Sequence, residues 1–130
     1  MSTEWPDFYP TNIVLPPNDS IVCAGNFFRL TFTSPPQSSC FKSTHEEYPS
    51  RHKRYRGEAL QNVYGTSFFD NKDQAIETRE KFPEALGTRI VAQGDLTAAV
   101  GKMKQTFKPG HFTVWIKRDA APVNEFSCCE

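Results

Sequence analysis

The chain has 130 residues, the size of one ordinary domain, and its 15 Lys and Arg balance its 15 Asp and Glu. A formal net charge of zero excludes a strong field over the whole molecule that would attract nucleic acid or an anionic membrane. Eleven Phe, four Tyr and two Trp can bury enough apolar surface for a core despite ten prolines. We therefore expect a single folded domain over residues 1–130 rather than a disordered chain.

The N-terminal residues lack the features of a secretion signal, since residues 1–10 carry Glu4 and Asp7 and no basic, apolar run. The longest apolar stretches, such as residues 90–92, are too short to span a bilayer. We expect a cytoplasmic protein without membrane partners, or one delivered to another cell without a signal. Its cysteines are then expected to be free thiols: Cys23, Cys40, Cys128 and Cys129.

The first third of the chain predicts an arm followed by two strands. Four prolines make residues 1–19 an irregular N-terminal arm. Residues 21–23 and 27–33 predict two short strands that flank a hairpin turn at Gly25-Asn26. Arg29 lies in the middle of the second strand, beside aromatic residues, and a charge in that position needs an explanation.

The middle of the chain contains the clearest helix. Residues 33–62 predict a long loop that ends in a short helix, and residues 64–69 predict a strand. The helix follows at 71–82, because Asp70 or Asn71 can cap its start and Pro83 stops it.

The last third predicts strands at residues 88–93, 103–107, 111–117 and 124–126, with 103–107 at an edge of the sheet. Several strands with one firm helix favour an α+β fold rather than a repeating βαβ pattern. We expect a mainly antiparallel sheet, continuous or split in two, packed on the helix near 71–82.

Common catalytic motifs do not occur in the sequence. It contains no glycine-rich phosphate loop, no Gly-x-Ser-x-Gly and no His-Glu-x-x-His. The cysteines lack the spacing of a zinc site, so no metal is expected. Candidate chemistry must therefore come from residues that only folding brings together.

One dispersed pattern is more specific. Arg29 lies in the strand Phe-Phe-Arg-Leu-Thr, Tyr-Gly-Thr-Ser-Phe-Phe (64–69) precedes the capped helix, and a strand over 89–96 follows. This order resembles the ADP-ribosyltransferase superfamily over about residues 27–96. The resemblance implies a split antiparallel sheet with NAD held in the cleft between its halves. The chain also resembles a group of small bacterial proteins that have no assigned activity.

The resemblance implies roles for six residues. The Arg29 guanidinium would grip the pyrophosphate or ribose oxygens in a bidentate manner, as arginine does well. Tyr64 would stack on nicotinamide, and a carboxylate would favour an oxocarbenium-like transition state. The late strands lack the superfamily's Gln-x-Glu or Glu-x-Glu pattern, so His111 or Glu125 would be the catalytic partner. The implied NAD-binding residues are Arg29, Tyr64 and Thr66, and the implied catalytic residues are His111, Glu125 and Ser67. His45 is a further candidate for NAD binding, because it lies in a loop and could enter a site with Arg29.

These residues also have ordinary structural explanations. Arg29 can lie across an aromatic ring with its charge towards solvent. Ser67 has the neighbours that any strand selects, and His111 follows a Pro-Gly turn. The leading functional hypothesis is an NAD-directed ADP-ribosyltransferase or NAD glycohydrolase, as an effector or toxin-like module.

The alternative hypothesis is a binding or inhibitor domain without enzymatic activity, and it depends on a basic run. Four cations surround Tyr55 within six residues, and such a run can follow phosphates while its ring stacks on a base. An acidic patch on a protein would fit the run as well. A solvated loop is the ordinary explanation, and a structural subunit is a third hypothesis. The four cations are Arg51, Lys53, Arg54 and Arg56.

Overall fold

The computed structural model describes residues 4–130, in which seven strands and several short helices form an α+β fold. Its strands are β1 (Ile21–Val22), β2 (Gly25–Thr31), β3 (Thr66–Phe69), β4 (Ile90–Leu96), β5 (Gly101–Gln105), β6 (His111–Ile116) and β7 (Phe126–Cys128). Its α-helices are α1 (Thr44–Glu47), α2 (Gly57–Val63), α3 (Lys72–Lys81) and α4 (Pro83–Leu86). Its 3₁₀ helices span Ser38–Phe41, Arg51–Arg54 and Pro122–Glu125. No helix in residues 4–130 is long and apolar enough to cross a membrane.

The strands form one antiparallel sheet, as predicted, in the order β1-β5-β6-β3-β2-β4-β7. β2 pairs with β4 along its whole length, from Gly25 opposite Leu96 onward. Among the described residues, β2 meets β3 at one register position, where Phe28 lies opposite Phe69. The sheet is therefore continuous, but it is narrow at the junction of β2 and β3.

The predicted hairpin between the first two strands is wrong. β1 pairs with β5, where Ile21 lies opposite Met103, and three other strands lie between β1 and β2. Cys23 and Ala24 alone connect β1 to β2, and so short a connection spans at most about 11 Å. A flat sheet would need about 19 Å. The sheet therefore curls, which brings the start of β5 near the end of β4.

Two hydrophobic clusters lie on opposite faces of the sheet, because successive residues of a strand point to opposite sides. Leu30 and Phe69 pack against Ala75 of α3 on one face. Phe27 and Phe68 belong to the cluster on the other face. The chain segment that follows β2 covers this second cluster with two residues of its 3₁₀ helix, Cys40 and Phe41.

Helix α3 confirms the predicted helix near 71–82, and its ends are where local signals place them. The Asn71 side chain caps the start by accepting a hydrogen bond from the Gln74 N–H at 3.2 Å. Pro83 follows the last turn and begins α4. The buried Ala75 faces the sheet, and the exposed residues of the helix, Asp73, Glu77, Glu80 and Lys81, are charged.

Several predicted boundaries differ from the structure. β5 is not an edge strand, because it lies between β1 and β6. The last strand begins at Phe126, after a 3₁₀ helix that replaces the start of the predicted strand. Residues 33–62 end in a short helix, α2, as predicted, and the predicted loop before it contains further short helices. Residues 4–19 contain no helix or strand, and residues 1–3 of the predicted arm lie outside the described residues.

Candidate functional site

A cavity of about 560 Å³ lies between the N-terminal arm and one end of the sheet. Its size is in the range of small-molecule sites. We call it the arm cavity. Four parts of the chain line it: residues 6–9 of the arm, residues 38–46, the start of β3, and the end of β6 with the loop that follows.

Aromatic rings form one wall of the arm cavity. The ring centroid of Tyr64 lies 6.5 Å from that of Phe8, in a stacked arrangement, and 6.2 Å from that of Tyr9. His45 packs behind this wall, with its ring centroid 4.8 Å from that of Tyr64. Burial and, to a lesser degree, the nearby carboxylate of Glu46 raise the pKa of the Tyr9 phenol above its usual value. Both tyrosines therefore remain neutral at physiological pH.

The entry into β3 places Tyr64 in this wall. Tyr64 ends α2, and Gly65 follows it where a Cβ atom would clash with the Thr113 side chain. Glycine is therefore required for the close approach of β3 to β6. The Thr66 hydroxyl then donates a hydrogen bond to the Phe41 carbonyl at 3.3 Å. That bond ties residues 38–43 to the sheet beside the cavity.

Charged side chains surround the mouth of the cavity. Lys117 pairs with Glu4 at 2.6 Å, and Arg118 pairs with Asp7 at 3.2 Å, so two ion pairs fasten the arm to the sheet. Lys42 is exposed, and it forms no ion pair with any residue in 4–130.

The carboxylate of Glu46 has a fixed position at the cavity. It belongs to a capping box at the start of α1, in which Oε1 accepts hydrogen bonds from the Ser43 N–H at 3.0 Å and the Ser43 hydroxyl at 3.1 Å. A capping box orients its side chain without removing the negative charge. Glu46 therefore presents an oriented carboxylate to the arm cavity.

Arg29, the predicted NAD anchor, is not among the residues that line the arm cavity. It is 6% exposed, and its Nε and Nη1 donate hydrogen bonds of 3.0 Å to the carbonyls of Cys40 and Ser67. These bonds lie beside the narrow β2–β3 junction, where the two strands pair at one register position. Burial lowers the pKa of Arg29 to about 10, even though Glu47 opposes the shift. Arg29 remains charged at neutral pH.

A buried charge cluster surrounds Arg29. Glu47 lies between two arginines, with one carboxylate oxygen 3.9 Å from Arg29 Nη2 and the other 3.7 Å from Arg89 Nη2. Arg89 also lies 3.8 Å from the centroid of the Phe32 ring and donates to the Leu30 carbonyl at 3.4 Å. We call Arg29, Glu47 and Arg89 the buried arginine cluster. Its groups contact main-chain atoms, rings and one another.

The predicted catalytic residues lie in different places. His111 begins β6, while the cavity lies at the other end of that strand, about 17 Å away along the chain. Burial lowers the pKa of His111 to about 4, and its Nδ1 lies 3.1 Å from the Thr106 hydroxyl. Glu125 is exposed and lines a second cavity of about 400 Å³. Ser67 meets Arg29 through its carbonyl oxygen rather than its hydroxyl.

The structure thus brings together three of the seven predicted residues. Tyr64 and Thr66 line the arm cavity, and His45 packs against Tyr64. Sequence reasoning missed the other cavity residues, of which one had a readable signal, because Ser43-x-x-Glu46 is the pattern of a capping box. The missed residues with polar or aromatic side chains include Phe8, Tyr9, Lys42, Glu46, Lys117 and Arg118.

Neither a search for metal ligands nor comparison with known proteins assigns the chain to a class of protein. No three His, Cys, Asp or Glu side chains within residues 4–130 are grouped as metal ligands would be. No protein-family model, no curated protein and no solved structure matches the chain. The similarity to ADP-ribosyltransferases therefore stays a prediction.

Proposed function

We propose that the protein binds an NAD-type dinucleotide in the arm cavity and cleaves its bond to nicotinamide. The observation that carries this proposal is the combination of an aromatic wall, unpaired and paired cations, and an oriented carboxylate in one cavity of about 560 Å³. A dinucleotide has a complementary set of groups, since it contains flat rings, two phosphates and ribose hydroxyls.

The aromatic wall and the cations suit different parts of such a ligand. Phe8, which is half-buried and lines the cavity, offers its ring to a nicotinamide or adenine ring, and the buried Tyr64 packs against Phe8. Lys42, which has no ion-pair partner among the described residues, would attract the phosphates as a point charge. Arg118 would add a planar fork once the ligand displaces the exposed Asp7 from it.

Glu46 is the carboxylate that this arrangement offers for catalysis. In glycosidic cleavage, the bond from ribose C1′ to the nicotinamide nitrogen breaks, and its electron pair leaves with nicotinamide. Water or an acceptor hydroxyl forms the new C1′–O bond and releases its proton. A negative charge beside the ribose stabilises the positive charge that develops on the sugar. Glu46 lines the cavity and Glu125 does not, so we assign this role to Glu46.

Arg29 would then act as a positioning residue. It holds the Cys40 carbonyl of residues 38–41 against the Ser67 carbonyl of β3, through two hydrogen bonds of 3.0 Å. Phe41 and Thr66 of these same two segments line the cavity. Its contribution to binding would therefore be to the shape of the cavity.

The test measures binding and turnover separately on the full chain. We expect calorimetric titrations to show binding of NAD and ADP-ribose with dissociation constants below about 1 mM. Nicotinamide alone is titrated for comparison. Purified protein should also release nicotinamide from NAD. Binding without turnover would retain the ligand class and remove the reaction, whereas absence of binding would refute both.

The decisive variant is Glu46→Gln, because glutamine can also complete a capping box while it removes the charge. We expect a loss of roughly 100-fold in kcat for nicotinamide release, with little change in the affinity for NAD. Glu77→Gln on the exposed face of α3 is the matched control and should keep full activity. A larger loss in Glu125→Gln than in Glu46→Gln would move the reaction to the second cavity.

A further inference from the structure

The basic run of the sequence forms an exposed segment that the arm cavity does not use. Residues Arg51–Arg54 form a 3₁₀ helix, and the chain continues in an extended conformation to Arg56 before α2 begins. The side chains of Lys53, Arg54 and Arg56 are exposed. We call residues 51–56 the basic segment.

Positive charge is unbalanced in the basic segment although the whole chain is neutral. Elsewhere, carboxylates neutralise Arg79 at 2.6 Å, Lys104 at 2.8 Å and Lys117 at 2.6 Å. No cation of residues 51–56 forms an ion pair with any residue that the structure describes. The formal net charge of zero therefore conceals a local positive patch.

Exposed aromatic rings accompany these cations. Tyr55 is 40% exposed and lies between Arg54 and Arg56 in the sequence. Tyr48 is 44% exposed, and the Arg51 guanidinium lies 4.2 Å from the centroid of its ring. Rings and guanidinium planes that alternate with free cations provide both stacking surfaces and phosphate contacts.

The side chain of His52 anchors the basic segment to neighbouring parts of the protein. His52 Nδ1 lies 2.8 Å from the Pro49 carbonyl, and the His52 ring centroid lies 5.4 Å from that of His45. His45 in turn packs against Tyr64 in the wall of the arm cavity. The exposed side chains therefore project from an anchored turn beside the arm cavity.

We infer that the basic segment binds single-stranded nucleic acid, with Lys53, Arg54 and Arg56 on phosphates and Tyr55 on a base. An acidic polypeptide would satisfy the cations, but it would leave the exposed tyrosine rings without flat partners. A duplex would satisfy the phosphate contacts, but its stacked bases would not reach Tyr55. This inference is independent of the proposed dinucleotide site.

The test is fluorescence anisotropy with a labelled oligothymidylate and oligouridylate of about 20 nucleotides. With about three or four phosphate contacts, raising the salt from about 50 to 200 mM should weaken binding roughly 20- to 50-fold. The triple variant K53Q/R54Q/R56Q neutralises these three cations, so it should lose most of this salt dependence and most of the affinity. The control K81Q/K102Q/K108Q gives the same net charge and should change the affinity less than about threefold.

Stacking is tested separately, because it distinguishes nucleic acid from an acidic chain. Tyr55→Ala should weaken binding about 5- to 150-fold, whereas Tyr55→Phe should retain it. Competition with polyglutamate and with a duplex of equal length completes the comparison. The inference would be overturned if the two triple variants had equal effects or if Tyr55→Ala had no effect. It would also be overturned if polyglutamate or duplex bound more tightly than the single strand, or if the single strand did not bind at about 50 mM salt.

Discussion

The arm cavity and the buried arginine cluster contain similar charged groups, but they differ in what those groups contact. In the cluster, Arg29 is 6% exposed and donates to two main-chain carbonyls. At the cavity, Arg118 pairs with the exposed Asp7, and Lys42 has no ion-pair partner in residues 4–130. The charged groups of the buried arginine cluster are bound to other parts of the protein, whereas those at the arm cavity can bind a ligand in place of their present partners.

This difference shows why the type of a residue does not identify a site. The Arg29 guanidinium uses its Nε and Nη1 donors to hold the Cys40 and Ser67 carbonyls, which is a structural role. One nitrogen, Arg29 Nη2, has no hydrogen-bond partner among the described residues and lies 3.9 Å from Glu47. Removing such a group should affect stability, whereas removing a cavity cation should affect binding.

The largest expected effect is therefore that of Arg29→Ala on stability. The change leaves two buried carbonyls without a donor and deprives Glu47 of one of its two arginines. Each buried carbonyl left without a donor costs about 1–3 kcal/mol, so the two together cost about 2–6 kcal/mol. Urea denaturation of the full chain should show a loss of this size in the free energy of unfolding.

Lys42→Gln supplies the control for Arg29→Ala. Because the Lys42 side chain is exposed, we expect the substitution to change the protein's free energy of unfolding by less than about 0.5 kcal/mol. The same variant should weaken NAD binding in calorimetry. Equal stability of the Arg29→Ala protein and the unmodified protein would contradict the distinction between the two regions.

The next largest effect concerns His111 and acid. Burial lowers its pKa to about 4 from a usual value of 6.5, so the unfolded chain binds a proton between these two pH values and the folded chain does not. The stability contributed by neutral His111 is therefore present above pH 6.5 and lost as the pH falls towards 4. Linkage gives a loss of about 2 kcal/mol at pH 5.

The measurement for this prediction is denaturation at several pH values. His111→Asn retains a polar group near Thr106 without an imidazole, and its stability should depend less on pH between 6.5 and 4. The same slope in both proteins would show that His111 titrates normally. In that case its assignment as a general base at neutral pH would regain support.

Local signals made part of the fold predictable. The capping residue Asn71 and the stop at Pro83 lie next to the helix that they limit, so α3 could be located from the sequence. The partner of β1 could not, because pairing with β5 joins residues about 80 positions apart through the curl of the sheet. A Gly-Asn pair predicts a local hairpin, but it carries no information on such a distant edge.

The site was predictable to the same limited extent. Tyr64 and Thr66 lie in one continuous motif at the start of β3, and both line the arm cavity. The arm residues Phe8 and Tyr9 meet Tyr64 only through packing across more than 50 positions of sequence. Arg29 was predicted to bind a ligand because the sequence does not show its actual partners. These partners are main-chain carbonyls, which the fold places beside Arg29 at the narrow junction between β2 and β3.

The smallest expected effect comes from the ion pair that fastens the arm. Asp7 is almost fully exposed, with 91% of its side chain accessible, so its pair with Arg118 is screened by water and salt. Asp7→Asn should leave the unfolding transition close to that of the unmodified protein. If Arg118 is free to take a phosphate, the same variant should bind ADP-ribose more tightly, since the competing carboxylate has gone. A calorimetric titration that shows weaker binding by Asp7→Asn would mean that Arg118 needs Asp7 to hold it at the cavity, and the two regions would then differ less than their burial implies.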